Sequence, residues 1–206
     1  MNNNQKRYIE YVSMFAKENK MHIWLGGSFL KGTATKFSDV DISVFCTKDE
    51  LNKLIYGYGK PVYISYTQKP TGTLIFIYED GVAVDIEMIE NIYITDSEFF
   101  HMDDIKIQEY SRNEKICTEI ALRDDMSYQI LRLFHRSLIK FLSGKQDIGV
   151  SIANEVASFN NSCSIFRDNY KEGIGNLLKS FNEQYKLPIE YYEILCELVA
   201  ELDGAI

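Results

Sequence analysis

Asp39 and Asp41 sit two residues apart in a run, Asp39-Val40-Asp41-Ile42-Ser43-Val44-Phe45, that alternates with period two. Such alternation predicts a strand, and residues i and i+2 of a strand project from the same face. Their Cα atoms then lie roughly 6–7 Å apart. Two carboxylates so placed can converge on divalent cations about 3.5–4 Å from each other, the spacing used in two-metal phosphoryl chemistry. Magnesium takes such oxygen ligands and fills its remaining positions with water and substrate phosphates.

Two further features fit that chemistry. Gly26-Gly27-Ser28 follows a short apolar run, His22-Ile23-Trp24-Leu25. A Gly-Gly-Ser turn lets the backbone come close to a polyphosphate, with amide N–H groups and the Ser28 hydroxyl as donors. A helix starting just afterwards adds its positive N-terminal end. Asp85, in Val82-Ala83-Val84-Asp85-Ile86-Glu87-Met88-Ile89, stands among apolar neighbours where a structural strand places Val or Ile. An acid in such a setting is costly unless it is paired, metal-bound or facing a cleft. Each short motif is commonplace alone. Their joint occurrence in this order is not.

The elements that must position these residues can be read from periodicity. Residues 4–19 form an amphipathic helix with Tyr8, Ile9, Val12, Phe15 and Ala16 at helical spacing. Residues 22–25 form a strand ending in the glycine turn, 29–37 a helical turn or loop, and a second strand starts at Ser38. A helix over 48–56 follows, then strands over 61–66, 73–78 and 82–89. Glu79-Asp80-Gly81 supplies a hairpin signal between the last two. Beyond residue 97 helical periodicity takes over. A helix over 115–143 carries Ile130, Leu133, Phe134, Leu138 and Phe141 as its apolar stripe, and further helices are expected near 147–160, 170–184 and 188–203. The reading is an α+β half, residues 1–96, followed by an all-α half, residues 97–206.

Arg132, Arg136 and Lys140 step by four along the striped helix. A phosphate clasp is one reading of this basic row; an ordinary solvated face is the preferred one. His135 reads as structural, and the tyrosines of 56–66 and 191–192 as packing residues rather than a base-stacking platform.

Composition bounds the rest. Within 206 residues there are 14 Tyr and 12 Phe, so a packed core is expected and disorder is not. The four cysteines, at 46, 117, 163 and 196, form no CxxC pair; reduced and mostly buried thiols are expected rather than a zinc site. A net charge of −8 argues against a broad nucleic-acid surface and is compatible with a cationic small-molecule substrate. Neither a signal peptide nor a membrane span is expected, and the expected compartment is the cytoplasm. Oligomeric state is not encoded in any of these features.

The stretch Gly27-Ser28-Phe29-Leu30-Lys31-Gly32-Thr33-Ala34-Thr35-Lys36-Phe37-Ser38-Asp39-Val40-Asp41 resembles the signature of the DNA polymerase β-like nucleotidyltransferase superfamily. Within it the stretch is most similar to small bacterial enzymes that adenylylate aminoglycoside or lincosamide antibiotics. The specific resemblance spans residues 24–45, with Asp85 beyond it. It implies a nucleotidyltransferase fold, a mixed twisted sheet flanked by helices, followed by a helical domain. It further implies that Gly27 and Ser28 bind a nucleoside triphosphate such as ATP, and that Asp39 and Asp41 hold two Mg²⁺ ions. Asp85 would be the third carboxylate, as metal ligand or general base. Phe29 and Leu30 depart from the small or basic residues usual after the serine, and Glu87 offers a competing base two residues after Asp85. The implied activity is Mg-dependent transfer of a nucleoside monophosphate to a hydroxyl. The acceptor would be a small molecule; the alternatives are a protein partner, as for antitoxin nucleotidyltransferases, or a non-catalytic nucleotide-binding module.

Overall fold

The computed structural model describes residues 2–67, 73–88, 98–99, 126–159 and 162–204. These fall into two compact units, one ending at Phe99 among the described residues and the other starting at Met126. In chain order the first contains α1 (Asn3–Asn19), β1 (His22–Leu25), α2 (Gly27–Leu30), β2 (Val40–Phe45), α3 (Lys48–Tyr58), β3 (Pro61–Thr67), β4 (Thr73–Tyr78), β5 (Ala83–Met88) and β6 (Glu98–Phe99). The strands form one six-stranded sheet of order β3-β4-β5-β2-β1-β6. The β2–β5 pair is parallel and the others are antiparallel. The class is α+β, as the sequence predicts.

Alternation decides which face of the sheet is core. Val40, Ile42 and Val44 of β2 and Val84 and Ile86 of β5 are buried on one face. They meet Tyr8, Val12 and Ala16 of α1, four residues apart, and Leu51, Leu54 and Ile55 of α3. Fully burying each such aliphatic side chain contributes about 1.5–3 kcal/mol. The intervening residues Asp41, Ser43, Asp85 and Glu87 therefore share the opposite face and remain half-buried.

Both long helices of this unit are capped. Asn2 and Gln5 form a capping box at α1, and Thr47 and Glu50 form one at α3. The β4–β5 hairpin closes with Gly81 at φ +79°, the conformation its sequence signal requires. It is tied to α1 by Asp80, which accepts from Arg7 Nη2 and from the Tyr58 hydroxyl, both at 2.6 Å. Tyr8, Tyr58 and Tyr78 pack together, with ring centroids 4.9–5.7 Å apart, so these tyrosines serve packing.

Three elements differ from expectation. The second strand starts at Val40, not Ser38, because residues 35–38 are held as a turn: the Thr35 N–H donates to Ser38 Oγ at 2.9 Å and the Ser38 N–H to Thr35 O at 3.2 Å. The helical turn expected within 29–37 starts earlier, at Gly27, and spans Gly27–Leu30. Glu98–Phe99 pairs with Trp24 and Leu25 of β1, adding a short strand where none was expected. Residues 115–125 of the helix expected over 115–143, and the expected 96/97 division, lie outside the described residues.

The second unit holds α4 (Met126–Leu142), α5 (Gln146–Phe159), α6 (Tyr170–Tyr185), α7 (Ile189–Glu201) and a 3₁₀ turn (Leu202–Gly204). Ile130, Phe134, Leu138 and Phe141 are buried on α4, whereas Leu133 is only half-buried. Gly149 lets α5 come close to α4: a Cβ there would lie 2.9 Å from Ser137 O and 2.8 Å from Phe141 Cβ. The buried Ser137 hydroxyl bonds to Gly149 O and to the Tyr170 hydroxyl, each at 2.7 Å. Asn154 pins the loop ahead of α6 by accepting from the Ile165 N–H (2.8 Å) and donating to Ile165 O (2.7 Å). No helix among the described residues is long and apolar enough to cross a membrane. Cys46 is buried, and burial pushes its thiol up to about 12. Cys163 and Cys196 are exposed, against the expectation of mostly buried thiols, and Cys117 lies outside the described residues.

Candidate active site

The parallel register of β2 and β5 sets Asp41 directly opposite Asp85. Neighbouring strands lie about 4.8 Å apart and paired residues share a face, so the two carboxylates stand side by side. Like charges directly opposite each other on a sheet are destabilising. A cation reverses the sign of that interaction. On its far side Asp85 pairs with Ile75 of β4, an apolar flank.

The same register separates Asp85 from Glu87. Glu87 pairs with Ser43 and with Thr73, one side-chain repeat beyond the acid pair. That repeat is about 6.6 Å along the strands, on the side away from Asp39. The Asp41–Asp85 pair thus lies toward the N-terminal end of β2, on the side from which Asp39 enters the strand in sequence, whereas Glu87 lies toward its C-terminal end.

The glycine turn is built onto Asp41. The Gly26 N–H donates to Asp41 O at 2.8 Å, which fixes the turn after β1 against β2. Gly27 has φ +59°, a region other residues rarely adopt. A Cβ at Gly27 would overlap Asp41 Oδ2 and come within 2.5 Å of Asp41 Cγ. Only glycine leaves room for that carboxylate. Ser28 stands half-buried in the first turn of α2, where backbone N–H groups lack helical partners.

Asp39 lies one residue outside the β2 ladder, at the end of the 35–38 turn. The turn is gripped from α1 by Gln5, whose side chain is buried at 3 % exposure. Gln5 Nε2 donates to Ser38 O at 2.7 Å, with Thr35 O at 3.2 Å and Lys36 O at 3.3 Å also in reach. Asn2 Nδ2 adds a bond to Lys36 O at 3.1 Å. Sequence reasoning missed Gln5. Its only local signal is the capping-box spacing from Asn2, which says nothing of a partner 33 residues away.

A family model described as "Nucleotidyltransferase domain" matches residues 6–120, more than half of the chain, and takes in β1 to β6 with Asp39, Asp41 and Asp85, while Asn2 and Gln5 precede it. The chain belongs to the nucleotidyltransferase domain family. No curated protein matches it. Two solved structures are similar. A CCA-adding enzyme with CTP is 11% identical with a TM-score of 0.33, over 98% of this chain and 52% of that one. The Thermotoga maritima CCA-adding enzyme complexed with tRNA is 11% identical with a TM-score of 0.34, over the same shares. The chain thus spans about half the length of either structure.

The donor set of this nucleotidyltransferase domain fits a hard divalent cation. Asp41 and Asp85 offer carboxylate oxygens from paired positions, the Asp41 carboxylate is seated against Gly27, and Asp39 precedes β2 by one residue. No three acidic, His or Cys side chains among the described residues close on one point as a finished cage. Magnesium does not require one, because it is commonly held by one or two carboxylates plus substrate phosphates and water.

The remaining candidates lie in the helical unit. Arg136 is exposed, and Arg132 and Lys140 are half-buried along α4. His135 is buried, with its ring centroid 6.1 Å from that of Tyr191. Burial, reinforced by the nearby Arg132 charge, pushes the His135 imidazole down to about 4. It is a neutral packing residue at pH 7.

Proposed function

We propose that this nucleotidyltransferase domain transfers a nucleoside monophosphate, AMP from ATP, to a hydroxyl of a small molecule and releases pyrophosphate. The observation that carries the reading is the placement of Asp85 opposite Asp41, with the Gly27 turn seated against the Asp41 carboxylate. Asp39 and Asp41 are the residues that would hold two Mg²⁺ ions, with Asp85 at their flank. Bound there, the ions lower the pKa of the acceptor hydroxyl and neutralise the leaving pyrophosphate. The turn would present the Gly27 and Ser28 backbone N–H groups and the Ser28 hydroxyl to the triphosphate, the Gly26 N–H being taken by Asp41 O.

Asp85 is the residue assigned to take the hydroxyl proton, since it adjoins Asp41 while Glu87 lies one repeat further away. The triphosphate enters from the Gly27 side and the acceptor from the side of Ser43 and Glu87. A net charge of −8 disfavours a broad nucleic-acid surface and suits an aminoglycoside or lincosamide, whose amines are cationic. Incubation with Mg-ATP and a panel of both antibiotic classes tests this directly. Pyrophosphate release should require an acceptor and should disappear in Asp39→Ala and Asp41→Ala. Equal release by wild type and these variants would sink the assignment; Mg-ATP binding without transfer to any acceptor would favour a non-catalytic nucleotide-binding module.

A further inference from the structure

We propose that Gln5 is a positioning residue for Asp39, an inference that rests on reading Asp39 as a metal-holding carboxylate. Asp41 and Asp85 belong to paired strands, and the β2–β5 ladder fixes their backbone. Asp39 precedes that ladder by one residue. The peptide group that joins it to the turn is the Ser38–Asp39 unit, and its carbonyl is the one Gln5 Nε2 binds at 2.7 Å. The second Nε2 proton faces Thr35 O and Lys36 O at 3.2 and 3.3 Å. Gln5 Oε1 meanwhile accepts from the Asn2 N–H at 2.7 Å, so the amide is oriented at both ends and cannot flip without losing bonds.

A buried amide held so firmly is a rigid strut between α1 and the turn. Two of its three carbonyl partners, Thr35 and Lys36, lie four and three residues from Asp39, and the third is directly bonded to it through the Ser38–Asp39 peptide. Loss of the strut frees the turn to shift relative to β2. Asp41 and Asp85 stay in register while Asp39 moves away from them. The expected consequence is weaker Mg-nucleotide binding at a site whose other ligands are intact.

Gln5→Met keeps length and helix propensity but removes both donors. Gln5→Glu keeps the acceptor for the Asn2 N–H but sets a carboxylate oxygen against the three carbonyls, so it displaces the turn more strongly, and melting temperature shows that each variant is folded. Tyr11→Phe is the matched control, since it removes a bond from α1 to Leu54 O (2.8 Å) that does not touch the turn. Affinity for Mg²⁺ with a non-hydrolysable ATP analogue is read by calorimetry, beside melting temperature. Both Gln5 variants should weaken binding about tenfold, as loss of a residue supporting a metal ligand does. Tyr11→Phe should lower melting temperature with affinity unmoved.

Asp39→Ala separates the two readings. If it abolishes metal-dependent binding while the Gln5 variants bind like wild type, Gln5 is only a structural cap and the inference is overturned. If Asp39→Ala binds like wild type, the metal assignment of Asp39 fails and this inference fails with it.

Discussion

Asp41 and Asp85 stand side by side across β2 and β5, and their mutual repulsion opposes folding of the metal-free domain. Two unit charges about 5 Å apart interact by roughly 3 kcal/mol at an effective dielectric of 20. Both residues are half-buried, so solvent screening reduces the repulsion to about 1–2 kcal/mol. Asp41→Asn or Asp85→Asn removes one charge and keeps the shape and one carbonyl acceptor. In the presence of a chelator either variant should therefore melt above wild type. At about 2–4 °C per kcal/mol for a chain of this size, the gain is roughly 2–8 °C. Mg²⁺ with an ATP analogue should reverse the order, because a ligand at a hundred times its dissociation constant adds about 2.7 kcal/mol to whichever protein binds it. Differential scanning fluorimetry of the three proteins, with chelator and then with Mg²⁺ and nucleotide, reads both halves of the argument. If both Asn variants melt below wild type in chelator, the acid pair is not strained and is already neutralised within the fold. If Mg²⁺ and nucleotide raise all three equally, the pair is not where the metal binds.

Further predictions follow from single contacts. Gly27→Ala forces a left-handed conformation on a residue with a Cβ and drives that Cβ into the Asp41 carboxylate. The backbone strain alone costs about 1–2 kcal/mol, and calorimetry should show nucleotide affinity falling at least about tenfold as Asp41 is displaced. Gly149→Ala sets a Cβ 2.9 Å from backbone atoms of α4 and should destabilise the helical unit by about 1–3 kcal/mol in urea titration, with nucleotide affinity unchanged. His135, held neutral with its imidazole pushed down to about 4, binds a proton more readily in the unfolded chain. Its contribution to folding is thus intact above the ordinary histidine range and is lost progressively as pH falls from about 6.5 toward 4. His135→Phe should flatten that part of the stability–pH curve. A slope equal to that of wild type would assign the loss to other groups.

The residue types of the site could be read from sequence because each is expensive anywhere else. Asp85 is an acid in a run of β-formers, and Gly26-Gly27 ends an apolar strand with maximal backbone freedom. The sheet was legible for a similar reason, since Val40, Ile42 and Val44 alternate with polar residues and so declare which face is core. Register was not. Asp85 and Glu87 share a strand, a face and a charge, and only the pairing of β5 with β2, set by contacts some 40 residues apart, decides which one adjoins Asp41. The same limit hid β6, whose two residues are too short to carry a period. It hid the role of Gln5 as well, which at its position in α1 reads as a capping residue. The local chemistry of a site is written in its motif, but its geometry depends on the elements that reach the motif from elsewhere. That is why Gln5, outside the motif that carries the carboxylates, is the residue whose substitution best tests how Asp39 is held.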